Sequence, residues 1–205
     1  MRKLSFVFLI GLLAGSAGQA AAQPWDVPSF FSPRPGEDIG IYVVDMDGTD
    51  DLGIVGIWRQ EGNLNLGVRA GVLDGDHISL GAEFYGPIRG VNAPIYMSWL
   101  LGVGGTFNGA TWLRIPAGVS IGTIFDAGSL DIMPYLHPRV ALDYVSWDAP
   151  EGVDDSDSEL NFDLDLGADI SLGPQWVFRF GATVGDFDGI GVGIAYRMGR
   201  RLVVR

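Results

Sequence analysis

The chain of 205 residues contains no cysteine, so no disulfide framework or thiolate metal site can hold it together, and no thiol is present for a lipoprotein anchor. Lysine occurs once, as Lys3. Histidine occurs twice, as His77 and His137, which leaves few bases to activate a nucleophile. Beyond the first residues no apolar run approaches the roughly 20 residues that a transmembrane helix needs. Nor does any segment sustain apolar spacing of three and four residues, the mark of an amphipathic helix. A helical membrane protein is excluded, and the chain must hold together by packing and strand pairing.

What is present begins with Arg2 and Lys3, an apolar run from Leu4 to Leu13, and small residues ending in Ala20, Ala21 and Ala22. This pattern predicts a secretory signal peptide over residues 1–22, cleaved before Gln23. Residues 23–36 then form an N-terminal periplasmic segment, residues 37–198 one β-domain, and residues 199–205 a C-terminal tail. Without the signal, 11 arginines face 25 acidic residues, a formal net of −14. Phosphate binding needs a net basic face, so a nucleic-acid partner is not expected.

Hydrophobic residues make up 47% of the chain and glycines number 31, and their arrangement is alternating. Leu160, Phe162, Leu164, Leu166, Ala168 and Ile170 interleave with Asn161, Asp163, Asp165, Gly167 and Asp169. That period of two is a strand with one apolar and one anionic face. The same rule places ten strands near residues 37–46, 52–60, 63–73, 77–86, 94–104, 110–122, 130–145, 159–171, 176–185 and 189–198. Turn chemistry interrupts the alternation at Glu61-Gly62, Asp74-Gly75, Asn108-Gly109, Gly173-Pro174 and Asp188-Gly189. Many of these strands reach the roughly 9–11 residues that a tilted strand needs to cross hydrocarbon. Trp58, Trp112 and Trp176 stand near strand ends, where interfacial aromatics belong. The expected fold is all-β: a closed antiparallel up-and-down transmembrane β-barrel of about ten strands, with eight as the alternative.

Alternation alone does not choose a solvent, because a soluble exported barrel carrying an apolar ligand would alternate too. The stretch Gly193-Ile194-Ala195-Tyr196-Arg197-Met198 resembles the terminal assembly signal of small bacterial outer-membrane barrels, the OmpA/OmpW-like group of the porin-like superfamily. It departs from them in the seven further residues Gly199 to Arg205. The resemblance implies export to the bacterial outer membrane, with insertion by the barrel-assembly machinery and contact with outer-membrane lipid and lipopolysaccharide. It also implies a structural role or passive permeation of small solutes or cations, without enzymatic activity. A lipid-modifying enzyme of the outer membrane is the less favoured alternative.

Three local patterns could carry other chemistry. Asp45-Met46-Asp47-Gly48-Thr49, after Ile41-Tyr42-Val43-Val44, resembles the nucleophile motif of haloacid-dehalogenase-type phosphatases, in which Asp45 would attack phosphorus and Asp47 handle the proton. That family also uses a basic residue, usually lysine, and a parallel sheet with crossover helices, which this chain lacks. Asp45, Asp47, Asp50 and Asp51 also suggest a calcium loop, but Gly56 stands where the bidentate glutamate belongs. Weak divalent binding at acidic loops, including Asp154, Asp155 and Asp157, is the remaining metal expectation. The third pattern is hydrolytic: His77 and Ser79 share one strand face with Glu83 further along it, but same-face neighbours such as His77 and Ser79 sit about 7 Å apart by strand rise. His137 has Arg139 and Asp143 beside it, with Ser120 the nearest candidate on the preceding strand. No residue is assigned a catalytic, cofactor-binding or metal-ligating role, and no cofactor is expected.

The register makes firmer statements. Asp131, His137, Arg139, Asp163, Asp165, Asp169, Arg179 and Arg197 should point away from lipid, where charges must be paired or wet. Asp169 should face Arg179 across a hairpin, and Asp38 should neighbour Arg197 where the barrel closes. Glycines 181, 185, 189, 191 and 193 leave one wall bare and suggest a small wet passage. With both termini periplasmic, the outer connections carry Asp45, Asp47, Asp50, Asp51, Asp74, Asp76, Asp148, Glu151, Asp154, Asp155, Asp157, Asp186 and Asp188 and no arginine. Arg89, Arg197, Arg200, Arg201 and Arg205 fall on the periplasmic side.

Overall fold

A computed structural model describes residues 24–62, 64–91, 93–108, 110–147 and 156–198. The expected signal peptide, the C-terminal tail and the loop acids Asp148, Glu151, Asp154 and Asp155 lie outside these residues. Eleven strands occur among the described residues: β1 Asp38–Met46, β2 Gly53–Gln60, β3 Asn65–Leu73, β4 His77–Pro87, β5 Ile95–Asn108, β6 Ala110–Thr123, β7 Phe125–Asp126, β8 Leu130–Trp147, β9 Ser156–Leu172, β10 Trp176–Gly185 and β11 Gly189–Arg197. Each long strand pairs antiparallel with the next, β6 pairs with β8, and β1 pairs with β11. Ten strands thus close into a barrel. The short β7 hangs on β8 through Phe125 and Asp126.

Closure falls where parity places it, with Asp38 paired to Arg197 and Met46 to Gly189 along the seam. Asp169 pairs with Arg179 across the β9–β10 hairpin. The end that holds Asp38 and Arg197 is called the base here, and the opposite end, with the β1–β2 and β10–β11 connections, the mouth. The β3–β4 connection shows why the turn residues are what they are: Asp74 (φ 46°) and Gly75 (φ 77°) both take left-handed backbone, which glycine adopts freely and aspartate tolerates. The longest strands, β8 and β9, extend beyond the expected 130–145 and 159–171. Their mouth ends are rich in Ser, Asp and Glu and lack the apolar alternation that reveals a strand elsewhere.

Sidedness decides the solvent. Ile39, Ile41, Val43, Leu80, Val103, Leu142, Phe162, Phe180, Ile190 and Val192 all face outward and are exposed. Arg59, Arg69, Glu83, Arg114, His137, Arg139, Asp163, Asp165, Asp169 and Arg179 face the lumen and are buried. A soluble barrel would present the reverse, because so continuous an apolar exterior has no place in water. Trp58 and Tyr196 lie outward near the base, and Trp176 meets Tyr196 edge-on with ring centroids 5.1 Å apart. Trp112 corrects the expectation that it belongs to this belt: it is a buried lumen residue, 8% exposed, whose Nε1 donates to Asp143 at 2.9 Å. A tryptophan near a strand end can occupy either face, and here parity and a buried acceptor turn it inward.

A charge on the outer wall tests this sidedness. Val192→Arg, in mid-strand with Val43 and Phe180 as neighbours, should lower the stability of the folded barrel in lipid vesicles by about 2–4 kcal/mol. Urea titration followed by tryptophan fluorescence would read it, and an unchanged midpoint would place Val192 in water.

Candidate functional site

The lumen is occupied by the chain itself. Residues 24–33 precede β1, turn back into the barrel and are buried throughout, running from beside Gly189 near the mouth (Val27) to Ser98 and Gly122 near the base (Pro33). The expected periplasmic segment of residues 23–36 thus lies, over residues 24–33, inside the barrel. The wall's backbone groups are largely consumed by the sheet, so an inserted segment finds its partners chiefly among side chains.

Those partners are specific. The Asp26 carboxylate lies between two arginines, forming ion pairs with Arg114, whose Nε is 3.1 Å away, and with Arg139. Arg114 also pairs with Asp163 and, at 3.1 Å, with Asp143. Arg139 reaches Asp165 at 3.0 Å. Three successive carbonyls of the segment accept arginine hydrogens: Pro28 from Arg69 at 2.8 Å, Ser29 from Arg59 at 3.4 Å and Phe30 from Arg59 at 3.2 Å. Arg59 in turn pairs with Glu83 at 3.2 Å. Ser98 Oγ donates to the Pro33 carbonyl at 2.8 Å. The Trp25 indole nitrogen donates to the Arg114 carbonyl at 3.3 Å.

The apolar residues of the segment sit in sockets that the wall's glycines leave open. A Cβ at Gly104 would come within 2.6 Å of the Trp25 ring, and one at Gly81 would also collide with it. At Gly191 a Cβ would lie 2.6 Å from Phe30, and at Gly189 2.9 Å from Val27. Of the glycines on this wall, Gly181 and Gly191 are covered by Phe30, Gly189 by Val27 and Gly193 by Tyr42. Phe30 stacks on Tyr42 with centroids 4.4 Å apart, while Phe31 meets His137 at 5.3 Å and Tyr85 at 5.7 Å. The left-handed backbone at Phe30 (φ 50°) sends the two phenylalanines into different sockets. A bulky residue takes this conformation only where its surroundings impose it. Near the mouth, Phe187 of the β10–β11 connection closes over Trp112, at 5.1 Å between centroids, and over the Arg114 guanidinium at 4.9 Å.

Several sequence-marked residues converge here. His137 meets a serine, but from the inserted segment: Ser29 Oγ lies 2.9 Å from His137 Nδ1 and donates to Asp165 at 2.5 Å. Ser120 is buried and has no hydrogen-bond partner among the described residues. His137 Nδ1 also contacts Asp165 at 3.1 Å, so serine and carboxylate share one ring nitrogen, whereas a hydrolytic relay needs them on opposite nitrogens. Nε2 packs against Gly118, where a Cβ would stand 2.6 Å away. Of the other hydrolytic candidates, Glu83 is held by Arg59, and His77 lies 3.1 Å from Asp76. Ser29→Ala should leave the fold intact and cost about 1.5–3 kcal/mol through the lost bonds to charged or chargeable partners. A change under 0.5 kcal/mol in urea titration would deny the contact any structural weight.

The mouth connections are acidic, as expected, but their carboxylates serve the turns. Asp74 accepts the Asp50 and Asp51 amides at 2.9 and 3.0 Å, Asp186 accepts Phe162 at 2.6 Å, and Asp188 accepts Gly185 at 3.2 Å. Among the described residues no three His, Asp or Glu side chains converge to hold a metal ion. The phosphatase reading of Asp45 and Asp47 has no parallel sheet to rest on: Asp45 ends an antiparallel strand on its outer face and Asp47 begins a turn.

The pairing and the inverted sidedness define the class: a small transmembrane β-barrel of the outer-membrane type, closed and internally filled. No protein-family model and no curated protein sequence matches the chain. Among solved structures it is similar in fold to the KdgM porin, with 7% identity over 79% of this chain and 99% of that one, at a TM-score of 0.42. It is also similar to Ail, the attachment invasion locus protein of Yersinia pestis, solved with the heparin analogue sucrose octasulfate, with 13% identity over 80% and 99% of the two chains and a TM-score of 0.36. A de novo designed transmembrane β-barrel matches with 13% identity over 80% and 97%, at a TM-score of 0.35.

Proposed function

We propose that this chain is an outer-membrane barrel with a structural role, kept closed to solutes by its own N-terminal segment and without enzymatic activity. The observation that supports this reading is the burial of residues 24–33 along the lumen, with Asp26 locked between Arg114 and Arg139. An open pathway for ions needs a continuous wet cross-section, and a barrel of this size has little to spare once a peptide with three aromatic side chains is inside it. In this reading Ser29, His137 and Asp165 form a latch for the segment. The outward apolar belt supports residence in a membrane, and the resemblance of the terminal strand to an assembly signal supports the outer one.

Planar lipid bilayers test the closed state. The protein beginning at Gln23 should give no stable conductance steps in molar salt, and a persistent open channel would overturn the reading in favour of passive permeation. Fractionation tests the location: the protein should leave the outer-membrane pellet only with detergent and should migrate anomalously on gels until boiled.

A further inference from the structure

The two sides of the lumen differ in chemistry. Arg59 on β2 and Arg69 on β3 lie half way round the ten-strand ring from β8 and β9, which carry His137, Arg139, Asp163, Asp165 and Asp169. The inserted segment is oriented between these walls. Its carbonyls at Pro28, Ser29 and Phe30 face the arginines of β2 and β3, and its Ser29 hydroxyl donates to Asp165 of β9. Pro24, Pro28 and Pro33 have no amide hydrogen, so the segment brings fewer donors than acceptors to a wall rich in guanidinium groups. The glycine sockets for Trp25 and Phe30 complete the match, because each would be filled by any larger wall residue.

These are the components of a peptide-recognition site: main-chain acceptors read by fixed donors, one carboxylate clamped by two arginines, and shaped pockets for aromatic side chains. We propose that the lumen is a peptide-binding site whose resident ligand is the chain's own segment 24–33. The same site accepts in trans a proline-containing peptide that can take the same bent course and carries a carboxylate at the position of Asp26. The buried Arg69 guanidinium agrees with a site built around a ligand. It is 1% exposed, it donates Nη1 to the Pro28 carbonyl, and its Nε and Nη2 have no hydrogen-bond partner among the described residues. Beyond the neighbouring Glu83 charge, the contacts of this buried cation, the Pro28 carbonyl and the Phe30 ring at 5.9 Å, both belong to the segment, and burying a cation is costly unless it is so matched. The proposal rests on the closed-lumen reading and adds to it that the closure is a reversible binding event.

The test uses the whole chain from Gln23, folded in detergent, with a protease recognition sequence inserted between Pro35 and Gly36, next to the exposed Arg34 at the base. Cutting after folding converts the segment into a free ligand while the barrel stays complete. A synthetic peptide spanning Gln23 to Pro35, labelled with a fluorophore at its C-terminus, is then incubated in excess with cut and uncut barrel, and incorporation is read by fluorescence anisotropy. Gel migration without boiling reports whether the barrel remains folded. The expected result is incorporation into the cut barrel alone, at least tenfold weaker for the peptide carrying Asp26→Asn and absent for a scrambled sequence. Three results would overturn the proposal: a folded cut barrel that takes up no labelled peptide, equal uptake of the scrambled peptide, or loss of the fold on cutting, which would make the segment part of the framework. Conductance of the uncut chain reads the closed-lumen reading separately, so failure of one is distinguishable from failure of the other.

Discussion

Asp26→Ala should lower the stability of the folded barrel by about 3–5 kcal/mol, because it leaves buried cations short of a partner. Arg114 and Arg139 both touch this carboxylate, and all three groups are at most 3% exposed. The loss should fall toward the lower end of that range, since Arg114 keeps Asp143 and Asp163, and Arg139 keeps Asp165. Asp26→Asn keeps an acceptor and loses the charge, so its cost should be smaller. The alanine variant has a second readout. With its anchor gone, Trp25 should leave the glycine socket formed by Gly81, Gly102 and Gly104, shifting its emission toward longer wavelength. Urea titration in detergent reads the first effect and fluorescence the second. A variant within 0.5 kcal/mol of the parent, with unshifted emission, would mean that the segment is held by shape alone.

How much of this was legible in the sequence follows from which interactions are local. The alternation of Leu160 to Ile170 is enough to place the middle of β9 and to say which residues share a face, and the short connection to β10 leaves one register that keeps the apolar faces together. That register alone brings Asp169 opposite Arg179. Counting an even number of strands brought Asp38 beside Arg197 in the same way. Both inferences use only parity and turn position, which are properties of neighbouring residues.

The inserted segment escaped the same reasoning, and the cause is physical. Residues 24–33 have neither period two nor period 3.6, and their decisive contacts span the whole chain, from Asp26 to Arg139 and from Ser29 to Asp165. Polar lumen residues announce that something must satisfy them, yet they do not announce whether it is water, another strand or a loop. Two signals were available: a glycine-bare wall in a barrel too narrow to leave empty, and a proline-spaced aromatic stretch, Trp25 to Pro33, too apolar for an exposed periplasmic segment. Neither points to the other without the barrel's cross-section. The Ser29–His137 contact is hidden for the same reason, since 108 residues separate the pair and Ser29 lies on no strand.

Arg179 carries the closure of the barrel, and its loss should be as costly as that of Asp26. Its Nε contacts Asp169 on β9 at 3.3 Å, its Nη2 reaches Asp38 on β1 at 2.5 Å, and its Nη1 donates to the Tyr42 hydroxyl at 2.7 Å. One guanidinium therefore ties β10 to β9 and, past β11, to β1 across the seam. Arg179→Met retains much of the volume but leaves two buried carboxylates without that cation, which should cost about 3–5 kcal/mol. The logic of buried pairs also predicts a rescue, because neutral groups of similar shape do not need the arginine. Adding Asp38→Asn and Asp169→Asn to Arg179→Met should recover most of the loss, while either asparagine alone in the parent, with Arg179 present, should be destabilising. Urea titrations of the set, with gel migration before boiling to score closure, would read both halves. A triple variant no more stable than Arg179→Met would show that the arginine acts through its packing against Tyr42, and the electrostatic account of the seam would fall.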